Sequence, residues 1–316
     1  MQETLKITAL VVTYNRKELL TESLKAIQDQ TFPVEKILVI NNHSDDGTEL
    51  LFQKGAIFDD PKIELYTTDK NLGGSGGFAK GFEIADARDF DYLWIMDDDA
   101  IAYPDTLEKL IASVSDLKGN RFGFLASAVY GPNDEPMNVP VLDKRTAENG
   151  YEDWYRYGQY GMIKVRSATF VSLLISHDAI RKLGYPIKEY FIWGDDTEYT
   201  TRLSRYYAPS YLCAASRILH KRENAKRLTI FTENNKNRVR MYYYLYRNSL
   251  LTARKYNPKG NSALHVCEFH LIALRCLFAP NIQYRFLKFI TMEKAIFSYL
   301  FGSSSIKKIL KELPHE

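Results

Sequence analysis

The stretch Tyr92-Leu93-Trp94-Ile95-Met96-Asp97-Asp98-Asp99 decides the fold. Its first five residues are a short apolar run of the length of a buried strand. The run ends abruptly in three carboxylates. The same grammar holds upstream. Ile7 to Thr13 (ITALVVT) reads as a buried strand ending at Tyr14-Asn15-Arg16, and Lys36 to Ile40 as a second, ending at Asn41-Asn42-His43-Ser44-Asp45-Asp46-Gly47. Between them, Leu19, Leu20, Leu24 and Ile27 place a helical period over Lys17 to Gln28. Ile63 to Thr67 is a third strand, and the glycine-rich Asn71-Leu72-Gly73-Gly74-Ser75-Gly76-Gly77 leads into a helix around Phe78 to Ala87.

Strands alternating with helices imply an α/β fold, a mostly parallel sheet flanked by helices. Ligands of such sheets bind beyond the carboxyl ends of the strands, where all these polar clusters fall. Residues 131–160, rich in Pro, Asn, Gly and Tyr, suggest a long excursion or lid. A further ordered stretch runs from Ala168 to Ile175 into a helix over His177 to Leu183, stopped at Gly184-Tyr185-Pro186. Beyond residue 225 the pattern turns to helices dense in aromatics. The expected division is 1–225 for a catalytic domain and 226–316 for a basic, mainly helical region.

Charge is divided the same way. From Lys236 onward 14 Lys and Arg face 4 Asp and Glu (+10), so the preceding 235 residues carry 28 against 35 (−7), and the two sum to the net +3. A basic, aromatic tail suits an anionic surface, with Phe286 to Phe301 and His270 to Phe278 as candidate contact segments. Solvated lysines and arginines on packed helices account for the same pattern. The acidic body and the lack of a recognised binding motif argue against nucleic acid. The three cysteines lack metal-ligand spacing, and no apolar run of spanning length occurs. With the strand-like pattern starting at Leu5, no signal peptide is expected, and a cytoplasmic setting follows.

Three adjacent carboxylates raise one another's pKa unless a cation sits among them, and carboxylates at a strand end suit Mg²⁺ or Mn²⁺. A solvated turn, or a helix starting at Ala100 with Asp99 as its cap, accounts for the triplet equally. The glycine run lacks the spacing of a dinucleotide fold or a P-loop, leaving close approach to a phosphate or tight helix packing. Tyr190 to Tyr199 (YFIWGDDTEY) joins Trp193 to Asp195, Asp196 and Glu198: either a base beside an aromatic face or an acidic helix start. His220 matters only if the fold returns it to the aspartates. His43, His177, His265, His270 and His315 receive no role.

Taken together, Val12 to Arg16, Asn41 to Thr48, Asn71 to Phe78, Asp97 to Asp99 and Trp193 to Glu198 resemble the nucleotide-sugar-dependent family-2 glycosyltransferases with the GT-A fold, over about residues 5–222. The acidic triplet with the Trp193 to Glu198 segment is most similar to galactofuranosyltransferases, with rhamnosyltransferases next. Gly194, between Trp193 and the aspartate pair, is a departure. The resemblance implies an inverting transfer, best matched by galactofuranose from UDP-galactofuranose, to an oligosaccharide or lipid-linked acceptor in bacterial surface polysaccharide synthesis. The alternatives are dTDP-rhamnose as donor, or a non-catalytic nucleotide-sugar-binding protein. It implies Asp97, Asp99 and His220 as ligands of Mn²⁺ or Mg²⁺, Asp196 as base and Asp195 beside it as catalytic. Thr13, Tyr14, Arg16, Asn41, Asn42, Asn71, Gly73 and Asp98 would bind the nucleotide, and Trp193 and Glu198 the acceptor. Peripheral attachment to the inner face of the cell membrane is compatible with it, as is a homo-oligomer.

Overall fold

Alternation of side chains along one strand sets the layers. In β1 (Ile7–Thr13), Ile7, Ala9 and Val11 point into one apolar cluster and Leu10 and Val12 into another, so both faces of the sheet are covered. The computed structural model describes residues 5–222, 229–257, 260, 262–302 and 304–314. They form two compact units, one of Met1–Lys188 with Asp196–Ala225, the other of Glu189–Asp195 with Lys226–Glu316. The segment 189–195, expected in the first domain, thus groups with the C-terminal helices. The expected 225/226 boundary and His315 lie outside the described residues.

In the first unit, β1, α1 (Lys17–Gln28), β2 (Lys36–Asn41), β3 (Ile63–Thr67), α2 (Gly73–Asp86) and β4 (Tyr92–Asp97) follow one another closely as the periodicity predicts. Then come β5 (Ala100–Ala102), α3 (Thr106–Asp116), β6 (Leu125–Tyr130), β7 (Val141–Leu142), β8 (Met162–Ser167), β9 (Leu173–Ser176), α4 (His177–Leu183), α5 (Asp195–Tyr206) and β10 (Ser210–His220). The sheet order is β3-β2-β1-β4-β9-β6-β10-β8-β7. Strands β3, β2, β1 and β4 are parallel, β9 enters antiparallel between β4 and β6, and β10 runs parallel to β6. The result is a mixed sheet with a wholly parallel N-terminal half, flanked by helices.

Ala100 does not start a helix. It opens β5, which pairs antiparallel with the end of β10 and sets His220 opposite Ala100. That register returns the histidine to the aspartates across 120 residues of chain.

The glycine run is itself the first turn of α2 rather than a turn before it. A Cβ on Gly77 would lie 2.6 Å from Val12 Cγ1, and one on Gly81 2.5 Å from Leu10 Cδ1, whereas Gly74 meets nothing within 4 Å. Gly77 and Gly81, one turn apart, therefore let α2 sit close on β1. Tight packing explains the inward-facing glycines.

The second unit contains α6 (Lys236–Tyr256), α7 (Ser262–Phe278), α8 (Arg285–Phe301) and α9 (Ser304–Glu312). Asn235 caps α6 by accepting from the backbone N–H groups of Asn237 and Arg238. Val239, Tyr242 and Tyr246 of α6 share a core with Ala273 and Cys276 of α7 and Met292 and Ala295 of α8.

Because Val12 is buried and β-branched, it cannot swing away from an added methyl. Gly77→Ala is expected to destabilise the protein by about 1–3 kcal/mol in denaturant unfolding. Gly74→Ala, pointing into open space, should cost nothing comparable.

Candidate active site

The carboxyl ends of β1 and β4 lie side by side, with Val12 in register with Asp97. The acidic triplet follows at that edge. Asp98 and Asp99 are buried and Asp97 is half-buried. Thr13 Oγ1 donates to Asp98 Oδ2 at 2.8 Å. Arg16, just past β1, divides one Nη1 between Asp98 Oδ1 at 3.1 Å and Asp99 Oδ2 at 2.9 Å. His220 Nε2 lies 3.1 Å from Asp99 Oδ1, and the Lys221 backbone N–H donates to the Asp99 carbonyl at 2.8 Å. One potential ligand atom from each of Asp97, Asp99 and His220 lies within 4.8 Å of the others.

The charges do not balance. Burial, then the charges of Asp99 and Asp98, drives the Asp97 carboxyl well above the usual carboxylate range, against the pull of Arg16. Asp196 adds to that rise, so the first turn of α5 is within electrostatic reach of the triplet. Burial also raises Asp98, to about 6, with Arg16 opposing. Burial opposes ionisation of Asp99 too, but the His220 hydrogen bond and charge and the Arg16 charge outweigh it and hold Asp99 low. Two carboxylates and an imidazole converge at a point where, among the described residues, the Arg16 guanidinium and His220 face three acids, a set that fits a divalent cation.

The imidazole is oriented by a second partner. His220 Nδ1 lies 2.9 Å from Asn138 Oδ1, an acceptor, which places the proton on Nδ1. Nε2 is the ring nitrogen left facing Asp99 Oδ1, and a cation bound between the two would take the place of the hydrogen that joins them. Asn138 comes from the irregular excursion 131–160, at a positive φ of 46°. No motif in the sequence marks it; only the tertiary return of that excursion reveals it.

The remaining expected residues fall into distinct groups. Asn41 and Asn42 are buried. Asn41 Oδ1 accepts from the Ser44 N–H at 3.0 Å, and its amide nitrogen reaches Thr67 Oγ1 only at 3.4 Å. Asn42 donates to Asn71 Oδ1 at 3.1 Å and the Gly73 carbonyl at 3.0 Å while accepting from the Leu72 N–H at 2.8 Å, which ties β2 to the start of α2. Asn71 also accepts from the Gly73 N–H at 2.8 Å. Tyr14, by contrast, is 45% exposed.

In the second acidic segment, Asp195 is buried at the start of α5 and Asp196 is half-buried, its Oδ1 accepting from the Thr197 N–H at 2.6 Å. Asp196 and Glu198 belong to the first unit, Trp193 and Asp195 to the second. Trp193 is half-buried, with its ring edge-on to Tyr242 at 5.2 Å.

Glu198, expected to face the acceptor, is fully buried, and both its oxygens accept from Arg202, at 3.1 and 2.8 Å. Arg202, also buried, donates to the carbonyls of Leu183 and Tyr185 and stacks over Tyr199 at 4.8 Å. The pair locks α5 to the end of α4. The i,i+4 spacing of Glu198 and Arg202 was the sequence signal for it.

The comparisons agree with this architecture. The model of the family "Glycosyl transferase family 2" matches residues 8–182, more than half of the chain. Galactofuranosyltransferase GlfT1 of Mycolicibacterium smegmatis is 27% identical over 227 residues, covering 70% of this chain and 72% of that protein. Among solved structures, S. aureus TarS superposes with a TM-score of 0.57 at 12% identity, over 97% of this chain and 50% of that chain. GalNAc-T7 with UDP, GalNAc and Mn²⁺ gives 0.60 at 12% identity, over 99% of this chain and 59% of that one. The chain thus spans about half to three-fifths of those two structures. Sheet, acidic triplet and family match converge: this chain is a member of glycosyl transferase family 2 with the GT-A fold, homologous to galactofuranosyltransferases.

Proposed function

We propose that the chain is a metal-dependent, inverting glycosyltransferase that moves galactofuranose from UDP-galactofuranose to a glycan acceptor on a lipid carrier, in bacterial surface polysaccharide synthesis. The observation that carries this reading is the convergence of Asp97, Asp99 and His220 within 4.8 Å. The similarity to GlfT1 supports the sugar, and the UDP and Mn²⁺ bound to GalNAc-T7 support the donor class and the cation.

Asp97, Asp99 and His220 would hold the cation, and their mixed oxygen and nitrogen donors suit Mn²⁺ better than Mg²⁺. Bound there, it would neutralise charge on the departing diphosphate. Arg16 and Thr13 keep the triplet fixed through Asp98. The exposed ring of Tyr14 is the face offered to the nucleotide base, while Asn41, Asn42, Asn71 and Gly73 shape the backbone beside it. Asp196 takes the proton of an acceptor hydroxyl, with Asp195 as its neighbour at the start of α5. The freed oxygen attacks the anomeric carbon as the bond to the diphosphate breaks on the opposite face, so configuration inverts and UDP leaves. Base assistance of this kind contributes roughly 10²–10⁴-fold. Trp193 would flank the acceptor, and Glu198 holds α5 in place through Arg202.

A lipid-linked acceptor gives the second unit a purpose. Among the described residues no helix is long and apolar enough to cross a membrane. The outer face of α7 exposes Leu264, Leu271 and Phe278 (63%, 60% and 80%), spaced seven apart. One stripe of α8 exposes Phe286, Ile290, Phe297 and Phe301. With 14 Lys and Arg against 4 Asp and Glu from Lys236 onward, this face would rest on an anionic leaflet from the cytoplasmic side.

The test is a panel of UDP- and dTDP-sugars with octyl glycoside acceptors and Mn²⁺, scored by release of nucleoside diphosphate. UDP-galactofuranose should be the best donor; turnover with dTDP-rhamnose alone would overturn the sugar assignment. Asp196→Asn should abolish transfer and leave calorimetric UDP and Mn²⁺ binding intact, and loss of both together would refute a base at that position. Sedimentation with phosphatidylglycerol vesicles should bind the wild type but not a Phe286→Asp, Phe297→Asp double variant. Equal sedimentation of the two would remove the membrane face.

A further inference from the structure

The chain entering the Asp195-Asp196 pair adopts an unusual path. Phe191, Trp193 and Gly194 have φ values of +65°, +60° and +94°, so three of four consecutive residues are left-handed. Two of them carry large side chains, which disfavour that region, and such a segment persists only where its surroundings over-determine it. Within the segment, the Ile192 N–H closes a tight turn onto the Tyr190 carbonyl at 2.8 Å.

Helix α6 supplies the surroundings. Asn248 is fully buried, and its amide nitrogen donates to the carbonyls of Tyr190, Ile192 and Trp193 at 3.1, 3.3 and 2.7 Å. Its amide oxygen accepts from Arg247 Nε at 2.9 Å and Nη2 at 2.8 Å. A guanidinium can only donate, so Arg247 dictates which end of the amide faces the loop. Arg247 Nη2 also donates to the Glu189 carbonyl at 3.0 Å, and its guanidinium lies over Tyr243 and Tyr244 at 5.3 and 5.2 Å. One turn on, Thr252 Oγ1 meets the Tyr190 hydroxyl at 2.8 Å. A Cβ on Gly194 would lie 3.1 Å from Asn248 Cβ, so the loop fits directly onto this side chain.

We infer that Asn248, oriented by Arg247, is a positioning residue for sugar transfer: its three hydrogen bonds hold the left-handed Phe191–Gly194 loop and so fix Trp193 and the entry to Asp195 and Asp196. Neither residue touches the reacting atoms. This inference rests on Asp196 as the base.

Asn248→Asp is nearly isosteric and keeps the acceptor for Arg247, but it removes the donor to all three carbonyls. Asn248→Ala serves the same test should the added charge prevent folding. Misplacing the loop should lower kcat for transfer from UDP-galactofuranose to an octyl galactofuranoside by roughly tenfold to a hundredfold. Calorimetric UDP binding should be unchanged, and hydrogen exchange over residues 191–196 should quicken. Met292→Ala, which opens the core of the same helical unit, should lower Tm but keep kcat. Wild-type kcat and exchange in the Asn248 variants, or an equal kcat loss in Met292→Ala, would overturn the inference. Should Asp196→Asn, run in parallel, retain turnover, the base assignment falls, and the exchange readout still judges the Asn248 contact by itself.

Discussion

Everything at this site turns on an electrostatic debt at the end of β4. Three consecutive carboxylates, two of them buried, face, among the described residues, the Arg16 guanidinium and the His220 imidazole. Burying like charges together is costly, and the protein answers with two arrangements rather than one. Asp98 is tied down by Thr13 and Arg16. Asp97 and Asp99 instead converge with His220 on a common point. The middle aspartate is thus held by hydrogen bonds from its neighbours, while the outer two lie with the imidazole around one point.

The rest of the first unit can be understood as support for that point. The parallel β1–β4 pairing brings Thr13 and Arg16 to the triplet, and the antiparallel β5–β10 pairing brings His220. The excursion after β6 delivers Asn138, which fixes the imidazole tautomer. Glu198 and Arg202 lock α5, the helix whose first turn carries Asp196. A buried pair of this kind is a device for geometry more than for stability, because desolvation consumes much of its attraction.

Much of this was legible in the sequence. The strands β1 to β4 and helices α1 and α4 stand where apolar periodicity puts them, because a residue buried in a parallel sheet or on a helix stripe has little freedom to be polar. Asp97, Asp99 and His220 were also within reach, although the return of His220 depended on a resemblance and not on spacing. Three things were hidden. Strand β5 is too short to leave a periodic signature, and its pairing is non-local. Asn138 acts through a loop whose path is set by tertiary contacts. The burial of Glu198 is hidden because a carboxylate in an acidic motif reads as solvent-facing until its partner one helical turn away, Arg202, is known. The glycine run was open to two readings, and the contacts of Gly77 and Gly81 favour packing.

The central claim is that Asp97, Asp99 and His220 together bind a divalent cation. Electron–nuclear double resonance on Mn²⁺ bound with UDP reads the nitrogen ligand directly. The wild type should show a ¹⁴N coupling that disappears in His220→Ala, with Mn²⁺ affinity falling in Asp99→Ala. Mn²⁺ bound with no nitrogen coupling, or a coupling that survives His220→Ala, would contradict the account.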